Sequence, residues 1–71
     1  MTAEEFDELR RKQKLRLADI AWMTGTTLRQ VARWTKGDTP VPLTAELLLK
    51  AFAQDKIDAH WLVKNIKAPI P

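Results

Sequence analysis

The sequence predicts an all-α fold, a compact bundle of about five short helices, and three observations carry the prediction. Leu17, Ile20, Ala21 and Thr24 recur at i, i+3, i+4 and i+7, the spacing of one helical face. Gly25, Thr27 and Gly37 punctuate the same stretch as stop, cap and stop. Further on, Leu43, Leu47, Leu48, Ala51 and Phe52 form a second apolar face at helical spacing.

The first helix is expected over Thr2–Lys12. Thr2 and Glu5 have capping-box spacing, and the acids of the first turn suit the positive end of the helix dipole. Phe6 and Leu9 supply the inward face. Arg10, Arg11 and Lys12 follow at its end, where they either complement the dipole or touch phosphate. Residues 13–16 make the connection, with Leu15 directed into the core.

The segment 16–37, RLADIAWMTGTTLRQVARWTKG, organises the chain as two helices joined by a tight turn. Gly25 sits where a helix must end in a left-handed conformation, and the Thr27 hydroxyl is placed to cap the next helix. On that helix each residue advances about 100°, so Arg29, Arg33 and Lys36 fall on one stripe. Thr27, Val31 and Trp34 fall on the opposite side. Trp22 lies about 140° from Leu17, away from the inferred buried face. It either lies across the first helix or the C-terminal segment, or meets a partner chain.

Asp38–Pro42 reads as a turn, with Pro42 at the start of a fourth helix ending near Ala53. Ala45 and Leu49 extend its apolar face sideways, leaving Glu46, Lys50 and Gln54 as a polar strip. So wide an apolar surface asks for more protein on top. A last helix capped by Asp58 supplies some of it, with Trp61, Leu62 and Ile66 facing inward. Prolines in Ala68–Pro71 forbid further helix. The two C-terminal helices, 42–66, are also expected to form a two-fold homodimer interface through Leu48, Leu49, Phe52, Trp61, Leu62 and Ile66.

Composition bounds the function. Seventy-one residues make one small domain. There is no cysteine, so neither a disulfide nor a cysteine-based metal site is available. No apolar run approaches the ~20 residues of a membrane span, and the acidic N-terminus is not a secretory signal; a cytoplasmic location is expected. His60 is the single histidine, without clustered carboxylates, so neither a metal nor a cofactor is expected. No nucleophile–base pair or phosphate-cradling glycine loop stands out, and enzymatic function is not expected. The net charge of +3 is unevenly spread. Residues 1–9 carry −4, residues 10–36 carry +7 from eight Lys/Arg against Asp19, and residues 37–71 balance. A concentrated basic excess is the footprint of a DNA-binding surface.

The stretch LRLADIAWMTGTTLRQVARWTKG resembles the Cro/Xre-type helix-turn-helix regulators of phages and bacteria. Ala21, Gly25, Val31, Trp34 and Gly37 stand in that family's register, and the likeness extends more loosely over residues 3–53. It implies a lambda-repressor-like helix-turn-helix fold with Thr27–Lys36 as the recognition helix in the major groove. By this resemblance Leu28, Arg29 and Arg33 would touch base edges. Thr26, Thr27, Gln30 and Lys36 would touch phosphate, and Thr39 is a weaker candidate. The family commonly carries glutamine where this chain has Leu17. Leu17 either packs inward or touches a thymine methyl, and Arg16 would take over the phosphate contact. The implied activity is sequence-specific binding of double-stranded DNA as a homodimer on an inverted-repeat operator, repressing by occupancy. The alternative is a protein-interaction adaptor, antirepressor or antitoxin on the same fold, pairing through Trp22 and the fourth helix.

Overall fold

A computed structural model describes residues 1–71 and contains five α-helices and no strand. They are α1 (Ala3–Lys12), α2 (Leu17–Thr24), α3 (Leu28–Lys36), α4 (Leu43–Ala53) and α5 (Ala59–Asn65). None is long and apolar enough to cross a membrane.

Local chemistry sets each boundary. At α1 the Thr2 hydroxyl accepts from the Glu5 amide at 3.1 Å while the Glu5 carboxylate accepts from the Thr2 amide at 3.0 Å. Two unpaired donors are thereby satisfied reciprocally. The end of α1 is tied to the following loop by Arg10, whose Nη1 donates to the Leu15 carbonyl at 2.8 Å. The remaining donors of that guanidinium reach Asp7 at 2.7 and 3.0 Å. Gly25 and Gly37 adopt φ of +72° and +81° and close α2 and α3, as their positions required. Asp58 caps α5 by accepting from the Trp61 amide at 2.7 Å.

The core consists of Phe6, Ile20, Ala21, Met23, Val31, Trp34, Ala45, Leu49 and Leu62. Phe6 meets Trp34 edge to face, centroids 6.1 Å apart and planes at 87°, which fixes α1 against α3. Leu9, Leu15 and Leu17 pack around this centre, so Leu17 takes the inward of its two options. On α2 the buried face includes Met23, whereas Thr24 turns its hydroxyl back to the Ile20 carbonyl at 2.7 Å.

The fourth helix corrects the sequence reading. Its buried stripe is Ala45 and Leu49, flanked by the half-buried Leu48 and Phe52, while Leu43 and Leu47 are 65% and 54% exposed. α4 packs against α1 and α2, with small Ala45 enclosed and the leucine-rich edge left outside. Glu46, expected on a solvated strip, is instead shielded and pairs with the Met1 amino group and with Lys50, each at 2.9 Å. Pro42 lies one residue outside the helix with extended dihedrals.

Two further expectations change. Leu49 and Leu62 are 1% and 2% exposed within the single chain, so neither offers surface to a second copy. Trp61, expected inward, is 48% exposed, because Leu62 is the residue by which α5 reaches the core. Leu48, Phe52 and Ile66 pack partly against that core.

Candidate nucleic-acid interface

The basic segment 10–36 separates into two populations once its ion pairs are drawn. Arg10 and Arg11 both bind Asp7, at 2.7 and 2.8 Å, and Lys12 approaches Glu8 at 3.8 Å. Of the two roles open to these cations, Arg10 has a structural one: only 16% exposed, it holds the loop to α1. Arg16 is also occupied. Its Nη2 and Nε reach the Asp19 carboxylate at 2.8 and 3.1 Å, and Nη2 also donates to the Pro71 carbonyl at 3.2 Å. Hydrogen bonding to Arg16 holds the Asp19 carboxyl below its ordinary range and raises the guanidinium of Arg16 in turn. Arg16, expected to grip phosphate, therefore carries a counter-charge of its own.

Arg29, Arg33 and Lys36 have no such partner. All three are exposed, and none forms an ion pair or a side-chain hydrogen bond with the protein. They recur at i, i+4 and i+7 along α3, so they form one column. Leu28 stands 54% exposed at the head of the helix. Val31 and Trp34 on the other side are 0% and 3% exposed. α3 is consequently anchored by one face and leaves a cationic one uncommitted.

The termini of α3 are held equally firmly. The Thr27 hydroxyl accepts from the Gln30 amide at 3.1 Å, so its role as a cap takes up an acceptor site and leaves the O–H to donate outward. The Thr26 amide closes the preceding turn on the Ala21 carbonyl at 3.0 Å. At the far end the Asp38 amide reaches the Arg33 carbonyl at 3.0 Å. Thr26 and Gln30 are half-buried at the edge of this surface.

Two residues expected at the DNA are not part of it. Leu17 has no polar side-chain atom and packs toward the core. The Thr39 hydroxyl is buried without a hydrogen-bond partner, so it does not face solvent. Lys14 is a further exposed cation without an ion pair, missed because it lies in the connection after α1 rather than on a helical stripe. Its φ of +57° is what turns the chain there. His60 is exposed, and no three His, Asp or Glu side chains converge anywhere in the chain.

Trp22 takes the first of its options: its indole N–H donates to the Ala68 carbonyl at 3.1 Å, so the C-terminal segment crosses it. Comparison with family models, with curated proteins and with solved structures gives no match.

Proposed function

We propose that this chain is a double-stranded DNA-binding regulator of the Cro/Xre helix-turn-helix type, with α3 as its reading helix. One observation carries the proposal: a short helix, capped at both ends and buried along one face, leaves Arg29, Arg33 and Lys36 uncommitted on the other. Elsewhere in the basic segment most cations already have carboxylate partners.

In this reading Arg29 and Arg33 read base edges, most naturally guanine O6 and N7, through bidentate hydrogen bonds. Leu28 offers apolar contact to a thymine methyl. Lys36, Thr26, Thr27 and Gln30 set position on the phosphates. Arg16 contributes only by giving up Asp19. The chain acts as a homodimer on an inverted repeat whose half-sites lie about 34 Å apart. Its two-fold contact draws on exposed apolar side chains, Leu43 and Leu47 of α4 and Trp61 of α5, rather than on the core residues Leu49 and Leu62. It represses by covering a promoter in the cytoplasm, and the reading includes no catalytic step, metal or cofactor.

The competing reading is an interaction adaptor, antirepressor or antitoxin on the same fold. The exposure of Leu43, Leu47, Trp61 and Val63 favours it, because these serve a protein partner as well as a second copy. Selection of bound sequences from a random duplex pool at two salt concentrations tests the first reading. An enriched inverted repeat supports it. Weak binding with no enriched sequence, disappearing as salt rises, leaves only non-specific electrostatics and favours the adaptor.

A further inference from the structure

After α5 the chain bends at Ala68 and returns over α2. Side chains of α2 and its N-cap hold it on that course. The Trp22 indole N–H donates to the Ala68 carbonyl at 3.1 Å, and Arg16 Nη2 donates to the Pro71 carbonyl at 3.2 Å. Between them, Ile70 stands at the edge of a cleft of about 330 Å³. Leu15, Trp22, Met23, Phe52, Leu62 and Val63 line that cleft, and Asp19 is its one polar neighbour.

The segment Ala68–Pro71 is chemically biased toward such a path. Pro69 and Pro71 have φ fixed by their rings, and Ala68 and Ile70 each precede a proline, which disfavours the helical region. Ordering it costs less than ordering an unconstrained tetrapeptide. An apolar groove carrying Trp22 and Phe52, an indole donor aimed at a backbone carbonyl and a segment stiffened by its prolines are features shared with sites that bind extended proline-containing peptides. The chain's own segment fills the site poorly, since Ile70, itself one of the lining residues, remains 62% exposed and about 330 Å³ stays unfilled beside it.

We propose that this cleft is a recognition site for an extended peptide bearing an aliphatic side chain between prolines, and that Ala68–Pro71 occupies its mouth as a tethered competitor. The inference rests on the Trp22 side of α2 and does not depend on what α3 binds. A partner segment that offers a carbonyl to Trp22 and places its aliphatic group deeper displaces the strap. Displacement also withdraws the Pro71 carbonyl from Arg16.

The test uses the full chain labelled with nitrogen-15 and reads the indole N–H resonances, with that of Trp22 assigned by its loss in Trp22→Phe. Ile70→Asp should shift the Trp22 indole and speed its exchange with solvent, while Trp34 stays unmoved as a measure of intact folding. A capped Lys-Ala-Pro-Ile-Pro peptide, added at concentrations on the order of millimolar, should then shift the same resonance saturably in the Ile70→Asp chain. The response should be several-fold weaker in the unaltered chain, where the tethered segment competes, and absent for a peptide carrying aspartate in place of isoleucine. Trp22→Phe, added to the Ile70→Asp chain, keeps an aromatic ring without the donor and should weaken the peptide response several-fold, read at the Met23 backbone amide. An indole unaffected by Ile70→Asp, no saturable shift with the peptide, or an equal response to the aspartate peptide each overturns the proposal.

Discussion

The Asp19 carboxylate holds Arg16 twice, accepting its backbone N–H at 2.8 Å and its guanidinium at 2.8 and 3.1 Å. One side chain thus closes the head of α2 and neutralises the cation nearest to it. Asp19→Ala removes both effects. Loss of this capping-box bond from the third helical position should cost about 0.3–1.5 kcal/mol, read as a lowered melting temperature. If the chain binds DNA as proposed, the freed Arg16 should steepen the salt dependence of that affinity by about 0.9 in the logarithmic slope, the increment for one more neutralised phosphate. Unchanged melting and an unchanged slope would show that the pair performs neither task.

Acid should destabilise the chain through three carboxylates. Asp19 is held below its ordinary range by hydrogen bonding to the Arg16 side chain, Glu5 by the Thr2 amide and hydroxyl, and Glu46 by Lys50 and the Met1 amino group. Each binds protons less readily when folded, so its contribution is fully present above the unfolded carboxylate range near pH ~4 and fades as pH falls below it. Melting temperature should be flat above about pH 5 and drop below about pH 4, and Asp19→Ala should shallow the drop.

The buried and exposed sides of α4 should respond unequally to truncation. Leu49, 1% exposed, should cost about 2–5 kcal/mol on substitution by alanine, measured by urea unfolding. Leu47, 54% exposed, should change stability by less than about 0.5 kcal/mol. If the dimer draws on that edge, Leu47→Ala should weaken self-association in sedimentation equilibrium.

Arg29 and Arg33 should be dispensable for folding. The double alanine variant should melt within about a degree or two of the parent, since both side chains are exposed and unpaired. Under the DNA-binding reading, affinity for a selected site should fall by about 1–3 kcal/mol for each arginine that grips a base edge bidentately. Retained affinity in a competition assay would remove α3 from the interface.

Lys14 adopts a left-handed conformation that a side chain disfavours and glycine accepts. Lys14→Gly should leave stability unchanged or raise it by up to about 1 kcal/mol in chemical denaturation, despite adding backbone freedom to the unfolded chain. A loss of stability would show that the lysine stem contributes packing there.

Helix termini were the most legible features, because capping is written in adjacent residues. Thr2 with Glu5, Gly25, Thr27, Gly37 and Asp58 perform the roles their positions suggest. The face of α4 was not legible. Leucine occurs on both of its sides, and which side is buried depends on how α4 packs against α1 and α2, a tertiary fact. The basic segment was legible as a sum and not residue by residue. Arg10 and Arg16 read as free cations until their carboxylate partners, three residues away, proved to point at them. Thr39 was misjudged because a loop position says little about where a hydroxyl is directed.

The division of α3 into an anchored face and an uncommitted one bears on heredity as well as on contact. Val31 and Trp34 are constrained by everything around them, whereas Leu28, Arg29 and Arg33 touch little of the protein. Under the DNA-binding reading, descendants of this gene can exchange those three outward residues and acquire a new operator without rebuilding the scaffold. Target choice and foldedness then answer to separate selection pressures, and recognition can diverge quickly along lineages whose interiors barely change.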